Sequence, residues 1–223
     1  MSPGRHQRRK AAAAPTPPGM GARPAISEVV RRVLAERQRA TVDDEALIRA
    51  AVLVPLLWKD GQWHVLVTQR TQSVEHHKGQ ISFPGGAWEP GDVDLEATAL
   101  RETCEEIGLP PESVELLGVL DDCPTITGFA VTPFVGLIPH PFIYRPNAGE
   151  VEAVIEVPLS FLREPGNMGR EQREYQGRVY DLVFWQYGPF TIWGATARIL
   201  KGFLDLLPED VFPDRVGPAV VGR

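Results

Sequence analysis

Apolar residues along the chain form several short runs separated by glycine-, proline- or aspartate-containing turns. Two of these runs, 50–58 and 63–68, flank a short turn at 59–61, and this pattern predicts a β-hairpin. Further strand-like runs lie at 114–120, 131–137, 151–157 and 179–187. These runs therefore predict strands.

Three segments show helical periodicity instead. Apolar residues recur at helical spacing in an amphipathic segment, 26–40, and further helical patterns occupy 95–107 and 194–207. Helices and strands therefore alternate irregularly along the chain. This order predicts an α/β fold with a mixed β-sheet between helices.

The two ends of the chain differ from its centre. Residues 1–25 contain no acidic residue and consist mainly of basic residues, alanine, proline and glycine, so we expect a disordered basic tail. We predict one main domain over 49–207, preceded by the amphipathic helix and followed by a C-terminal tail at 208–223.

Charge and cysteine content exclude some classes of protein. The net charge of −6 argues against a general nucleic-acid surface, and no apolar segment is long enough to span a membrane. Cys104 and Cys123 lack metal-ligand spacing, and a bridge through Cys104 would constrain an acidic motif, so we expect free thiols. We therefore predict a cytoplasmic protein that binds a small molecule rather than nucleic acid or membrane.

An acidic motif on the predicted helix 95–107 carries the most specific chemistry. At about 100° per residue, Glu102 and Glu106 share one stripe and Glu105 lies within reach of both, while Arg101 can orient a carboxylate. Clustered carboxylates repel one another unless they share a cation, and oxygen ligands of this kind favour Mg²⁺ or Mn²⁺. An exposed charged helix face is the alternative interpretation of these residues alone.

A glycine pair precedes this helix. Phe83, Gly85 and Gly86 close a short apolar stretch, and glycine there would let a backbone carbonyl approach a metal or phosphate closely. We therefore add the Gly86 carbonyl to the candidate metal ligands, which are Glu102, Glu105 and Glu106.

This arrangement resembles the Nudix box, Gly-x5-Glu-x7-Arg-Glu-U-x-Glu-Glu-x-Gly-U, in which U is aliphatic. The match is at Gly86, Arg101, Glu102, Glu105, Glu106, Gly108 and Leu109, with Thr103 at an aliphatic position. The spacing from Gly86 to Arg101 is one residue longer than in the general pattern. Counting from Gly86 places Asp92 at the first acidic position, whereas counting back from Arg101 places Val93 there. We interpret this difference as a loop that is longer by one residue, with Asp92 in place of the first glutamate.

A second motif resembles the coenzyme A pyrophosphatase branch of the Nudix hydrolases. It matches at Leu66, Thr68, Arg70, Gly79, Phe83, Pro84, Gly85 and Gly86. Glu75 replaces an arginine of that motif, and Lys78 or the neighbouring histidines could supply the missing positive charge. The resemblance implies that Arg70, Lys78, Gly79, Phe83 and Gly85 form the substrate-binding segment.

The resemblance implies metal-dependent hydrolysis of coenzyme A or acyl-coenzyme A to adenosine 3′,5′-bisphosphate and (acyl-)4′-phosphopantetheine. It assigns catalysis to Arg101 and Glu102, with Glu150 or Glu152 as an additional acid that could serve as base. Glu102 is the alternative base. It also implies a Nudix-type α/β/α sandwich and a possible homodimer. The alternatives are a Nudix hydrolase for another nucleoside diphosphate derivative (a nucleotide sugar, dinucleotide or oxidised nucleotide) and, ranked last, a non-catalytic binding module.

Overall fold

The computed structural model describes residues 26–72, 79–175 and 177–208. The helices are α1 (Ile26–Glu36), α2 (Leu95–Ile107), α3 (Leu159–Arg163) and α4 (Gly194–Leu206). The first strands are β1 (Ile48–Lys59), β2 (Gln62–Arg70), β3 (Ile81–Ser82), β4 (Gly85–Ala87), β5 (Glu115–Val119) and β6 (Cys123–Pro124). They are followed by β7 (Phe129–Leu137), β8 (Val151–Pro158), β9 (Met168–Tyr175), β10 (Arg178–Tyr187) and β11 (Phe190–Ile192).

The main sheet is mixed and is built around β1. Its strand order is β3-β2-β1-β7-β5, and β4, β6 and β8 pair with β1, β7 and β2 respectively. β1 runs antiparallel to β2 and β4 but parallel to β7. A second sheet of three strands has the order β11-β10-β9.

Helices cover both faces of the main sheet. Successive side chains of β1 point to opposite faces, so this strand contributes to two hydrophobic cores. One core joins β1 to the C-terminal end of α2, and includes Leu53, Leu57, Ile107 and Leu109. The other joins the opposite face of β1 to α1 and α4, and includes Val54, Leu56, Ile26, Val30 and Leu200. The predicted α/β sandwich with a mixed sheet between helices is therefore confirmed.

The predicted amphipathic helix over 26–40 is too long, because α1 ends at Glu36. The chain leaves the helix where Arg37 binds the β5–β6 connection, with a 2.6 Å ion pair to Asp121 and a hydrogen bond to the Val119 carbonyl. These contacts hold the segment after α1 against the sheet in an extended path. No helix in the described part of the chain is long and apolar enough to cross a membrane.

Candidate active site

Helix α2 is fixed at both ends by its own sequence. The Asp94 side chain accepts a hydrogen bond from the Ala97 amide at 2.8 Å and so caps the N-terminus. Gly108 ends the helix in the left-handed region with φ of 71°, where its amide donates to the Cys104 carbonyl. Thr103 stands where the box has an aliphatic residue. Its buried hydroxyl is not left unsatisfied, because it donates a hydrogen bond to the Ala99 carbonyl at 2.7 Å.

Arg101 organises the exposed side of the acidic motif. Its Nε and Nη2 atoms donate to the two carboxylate oxygens of Asp92, at 2.9 and 3.1 Å. Its Nη1 atom reaches Glu102 at 2.9 Å and Glu105 at 3.1 Å, and Nη2 also donates to the Ala87 carbonyl. One planar guanidinium therefore connects three carboxylates to the loop before the helix.

Asp92 takes the first acidic position of the box. Its side chain is 5% exposed and also accepts from the Thr98 hydroxyl and the Glu89 amide, whereas Val93 is 90% exposed. The hydrogen bond from Arg101 holds the pKa of Asp92 well below its usual range, with weaker help from its other donors. Counting forward from Gly86 is thus the correct alignment, and the extra residue lies between Asp92 and the helix.

Glu106 is the most buried acid of the motif. Its side chain is 3% exposed, and its Oε2 atom has no hydrogen-bond partner in the described structure. Burial raises its pKa to about 8, opposed chiefly by the charge of Arg70, while the charges of Glu102 and Glu150 raise the pKa further. The Arg70 guanidinium lies 3.7 Å from Glu106 Oε1, too far for a hydrogen bond.

Glu102 lies against Gly86. A Cβ atom built on Gly86 would stand 2.5 Å from the Glu102 carboxyl group, so only glycine allows this contact. Burial raises the pKa of Glu102; hydrogen bonding to Arg101 opposes that effect, and the charges of Glu105 and Glu150 add to it. The Gly86 backbone, in β4, is therefore held directly over a candidate metal ligand.

The candidate substrate segment begins where β2 ends. Gly79 donates its amide to the Arg70 carbonyl at 3.1 Å and adopts φ of 67°, so its backbone is held against the end of β2. Lys78 and Glu75 lie outside the described residues.

The prediction that Phe83 belongs to the substrate-binding segment is wrong for its side chain. Phe83 is 2% exposed and packs in the core, where its side chain cannot contact a substrate. Gly85 approaches the β1 backbone so closely that a Cβ atom would lie 2.3 Å from a carbonyl oxygen.

The two acids proposed beyond the box occupy different environments. Glu150 is half-buried in the turn just before β8, and its charge acts on both Glu102 and Glu106. Glu152 is exposed and is not among the main charges that shift the pKa values of those two carboxylates. The structure thus brings Glu150, and not Glu152, into electrostatic contact with the acidic motif.

A divalent cation at this site would need oxygen ligands from the acids of the motif. Within the described ranges, no three His, Cys, Asp or Glu side chains already form a metal-binding group. Arg101 holds Glu102 and Glu105, which explains why they do not converge. The buried Oε2 atom of Glu106 nonetheless lacks a hydrogen-bond donor, and the charge of Glu102 acts on the same group. Carboxylate oxygens of this kind are the ligands that Mg²⁺ and Mn²⁺ prefer. The residues therefore fit such an ion.

Trp88 lies beside the candidate site, and the sequence analysis did not single it out. It follows the Gly86 loop, is 36% exposed, and donates its indole N–H to the Asp92 carbonyl at 3.2 Å. The Arg49 guanidinium lies 5.8 Å from the centre of its ring. An exposed tryptophan two residues after a candidate site glycine is a signal that could have identified it.

The chain is similar to proteins of one family. The NUDIX domain family model matches residues 47–167. The chain is 40% identical over 165 residues to the protein named Uncharacterized Nudix hydrolase NudL of Citrobacter koseri, covering 73% of this chain and 85% of that protein. It is 42% identical over 156 residues to NudL of an Enterobacter species, covering 69% and 79% respectively.

Among solved structures, a MutT/nudix family protein from Enterococcus faecalis aligns with a TM-score of 0.49 at 18% identity, covering 82% of this chain and 70% of that one. The family match and the NudL relatives show that the chain belongs to the Nudix family. It is a Nudix hydrolase that acts on a diphosphate linkage. Members of this family typically use divalent metal ions and bind nucleotide-type small molecules.

Proposed function

We propose that the enzyme hydrolyses coenzyme A or acyl-coenzyme A at the diphosphate, giving adenosine 3′,5′-bisphosphate and (acyl-)4′-phosphopantetheine. The observation that carries this proposal is the position of Arg70, whose guanidinium stands 3.7 Å from Glu106 at the end of β2. Arg70 belongs to the coenzyme A motif and Glu106 to the Nudix box, so the two motifs meet at one point. A cation of the protein beside a metal-binding acid is suited to hold a phosphate there.

Glu102, Glu105, Glu106 and the Gly86 carbonyl would hold Mg²⁺ or Mn²⁺. When bound, such an ion supplies charge neutralisation for the diphosphate and lowers the pKa of water. Arg101 fixes Glu102 and Glu105 relative to the β4 loop, since the Asp92 carboxylate anchors its other edge. Arg70 would bind a phosphate oxygen of the substrate, and Gly79 and Gly85 hold the backbone around it.

Hydrolysis adds one water across a phosphorus–oxygen bond of the anhydride. The water oxygen bonds to phosphorus, the bridging bond breaks, and the water proton passes to a carboxylate. Glu150 is our first candidate for that base, because its charge already acts on Glu102 and Glu106. Glu102 is the alternative base, and the exposed position of Glu152 makes it the weakest of the three candidates.

A second candidate is a Nudix hydrolase for another nucleoside diphosphate derivative: a nucleotide sugar, dinucleotide or oxidised nucleotide. The observation that favours it is Glu75, an acid at a position where the coenzyme A motif has arginine. A non-catalytic binding module ranks last, since all three acids of the box are present. We further propose that the enzyme is cytoplasmic, in keeping with its two free cysteines.

The test is product analysis with purified protein and Mg²⁺ or Mn²⁺. Coenzyme A, acetyl-coenzyme A, ADP-ribose, a dinucleotide and an oxidised nucleotide are compared at equal concentration by chromatography and mass spectrometry. We expect the highest kcat/KM for a coenzyme A compound, with adenosine 3′,5′-bisphosphate as product. Faster turnover of a nucleotide sugar or dinucleotide would reject the coenzyme A assignment while leaving the Nudix chemistry in place.

A further inference from the structure

Strand β9 is the free edge of the smaller sheet. It pairs along its length with β10, and the sheet order β11-β10-β9 places no further described strand beyond it. The side chains of residues 170–174 are all exposed. One edge of β9 therefore presents backbone donors and acceptors that another strand could pair with.

The sequence of this edge is charged and symmetric. Residues 170–174 read Arg-Glu-Gln-Arg-Glu, with Gln172 at the centre. If a second copy of β9 runs antiparallel about a twofold axis at Gln172, Arg170 lies opposite Glu174 and Glu171 lies opposite Arg173. Every charged residue of the segment then faces an opposite charge, which stabilises cross-strand pairs.

Other alignments of the same two strands lack this complementarity. Shifting the antiparallel pairing by two residues in either direction places Glu171 opposite Glu171, or Arg173 opposite Arg173. Parallel pairing in register places every charge opposite itself. Charges on an edge strand usually oppose association, but here one register is attractive and its neighbours are repulsive.

The geometry of the strand also allows this register. In an antiparallel pair, alternate residues direct their N–H and C=O groups to the same side. A twofold axis at Gln172 pairs residue 170 with 174 and residue 172 with itself, so the paired residues belong to one alternating set. The backbone groups of all three can therefore point to the second copy together.

Contacts within each copy hold the segment in place before it pairs. The Arg173 guanidinium lies 5.8 Å from the ring centre of Trp193 and forms a 2.7 Å ion pair with Glu171. On the other face of the strand, Gln172 donates to Asp181 of β10 at 2.8 Å. These contacts reduce the conformational entropy that association would cost.

We propose that β9 is a homodimer interface, in which two copies pair antiparallel about Gln172 and join their small sheets into one. The partner is a second copy of this chain, because the charge pattern is complementary to itself. The proposal does not depend on the substrate.

Charge reversal with complementation tests the proposal. R170E/R173E makes the segment wholly acidic, and E171R/E174R makes it wholly basic. We expect wild-type protein to be a dimer by sedimentation and light scattering, and each variant alone to be a monomer, with Kd raised at least about tenfold. An equimolar mixture of the two variants should restore the dimer, because each charge again meets its opposite.

The matched control is R32E, which reverses an exposed arginine on α1, the surface that the alternative dimer through that helix would use. Arg31 is left unchanged because it forms an ion pair with Glu115 of β5. The R32E variant should remain dimeric. Circular dichroism and activity towards the substrate should be unchanged in all variants, because β9 lies outside the acidic motif. A monomeric wild type, a dimer that survives both reversals, or a mixture that stays monomeric would each overturn the proposal.

Discussion

The guanidinium of Arg70 and the buried carboxylate of Glu106 face each other at 3.7 Å without forming a hydrogen bond. Arg70 Nε and Glu106 Oε2 are both buried without a hydrogen-bond partner in the described structure. The charge of Arg70 favours the ionised form of Glu106 and opposes the effect of burial on its pKa, but the two side chains do not satisfy each other's hydrogen-bonding groups. The pair is therefore suited to bind further charged groups, a cation at Glu106 and an anion at Arg70.

The first prediction concerns the pH dependence of stability without metal. Burial raises the pKa of Glu106 from 4.5 to about 8, so the folded protein retains a proton that the unfolded chain releases. The contribution of Glu106 to the free energy of unfolding is therefore largest below pH 4.5 and is lost as pH rises towards 8. The slope should approach about 1.4 kcal/mol per pH unit between these values.

Urea unfolding in chelator at several pH values measures this slope. Subtracting the E106Q curve from the wild-type curve isolates the contribution of Glu106 from those of the other acids. A difference that increases with pH over this interval would contradict the assignment.

The second prediction concerns Arg70 as the phosphate-binding residue. Arg70→Gln should raise KM for coenzyme A by about tenfold or more, with a smaller change in kcat, because it removes a charged hydrogen-bond donor. Arg70→Lys keeps the charge but loses the planar fork, so its KM should be intermediate. Steady-state kinetics of both variants, with the exposed Arg32→Gln as control, provide the measurement. An unchanged KM in Arg70→Gln would exclude this role.

The third prediction uses the close approach of Gly86 to Glu102. In Gly86→Ala the new methyl group would overlap the carboxylate, which is the movable end of a flexible side chain. Glu102 should therefore be displaced while the fold persists. We expect kcat to fall by about 100-fold and the free energy of unfolding to change by less than about 1 kcal/mol.

Gly91→Ala is the matched control for this substitution. A Cβ atom at Gly91 meets no atom within 4 Å, so its activity should equal that of wild type. If both alanine variants kept full activity, the contact between Gly86 and Glu102 would have no role in catalysis.

The fourth prediction concerns the anchor of Arg101. Asp92→Asn replaces a nearly buried charged acceptor and should lower the free energy of unfolding by about 2 kcal/mol, since it weakens the paired hydrogen bonds from Arg101. Arg101 would then no longer hold Glu102 and Glu105 in their present orientation, so kcat should also fall. Glu96→Gln, an exposed acid on the same helix, should change neither quantity. Equal behaviour of the two variants would argue against Asp92 as anchor.

Much of the fold could be predicted, because apolar runs and helical periodicity arise where one or both faces of an element are buried. The predicted segments 95–107 and 194–207 match α2 and α4 to within one residue. β9 has no such signal, since its polar residues lie on an edge that buries almost nothing. The end of α1 is set by contacts of Arg37 with a distant connection, which local sequence does not reveal.

The residues of the candidate site could be predicted from the motif, but the burial of each side chain could not. Helical geometry groups Glu102, Glu105 and Glu106, yet it cannot show that the Glu105 side chain is 56% exposed while that of Glu106 is 3% exposed. That difference depends on how the helix packs against β1 and β4. The role of Asp92 likewise required the path of the lengthened loop, because spacing alone left Val93 as an alternative.

The most direct test of the account is the Glu106→Gln variant, assayed for Mn²⁺ binding by calorimetry and for hydrolysis of coenzyme A in the same preparation. Glutamine keeps the size of the side chain but removes the charge that a divalent cation requires. We predict that kcat/KM falls by at least about 100-fold and that Mn²⁺ affinity falls with it, while Glu96→Gln behaves as wild type. Full activity with unchanged Mn²⁺ affinity in Glu106→Gln would contradict the central claim that this buried acid is a metal ligand of the hydrolase.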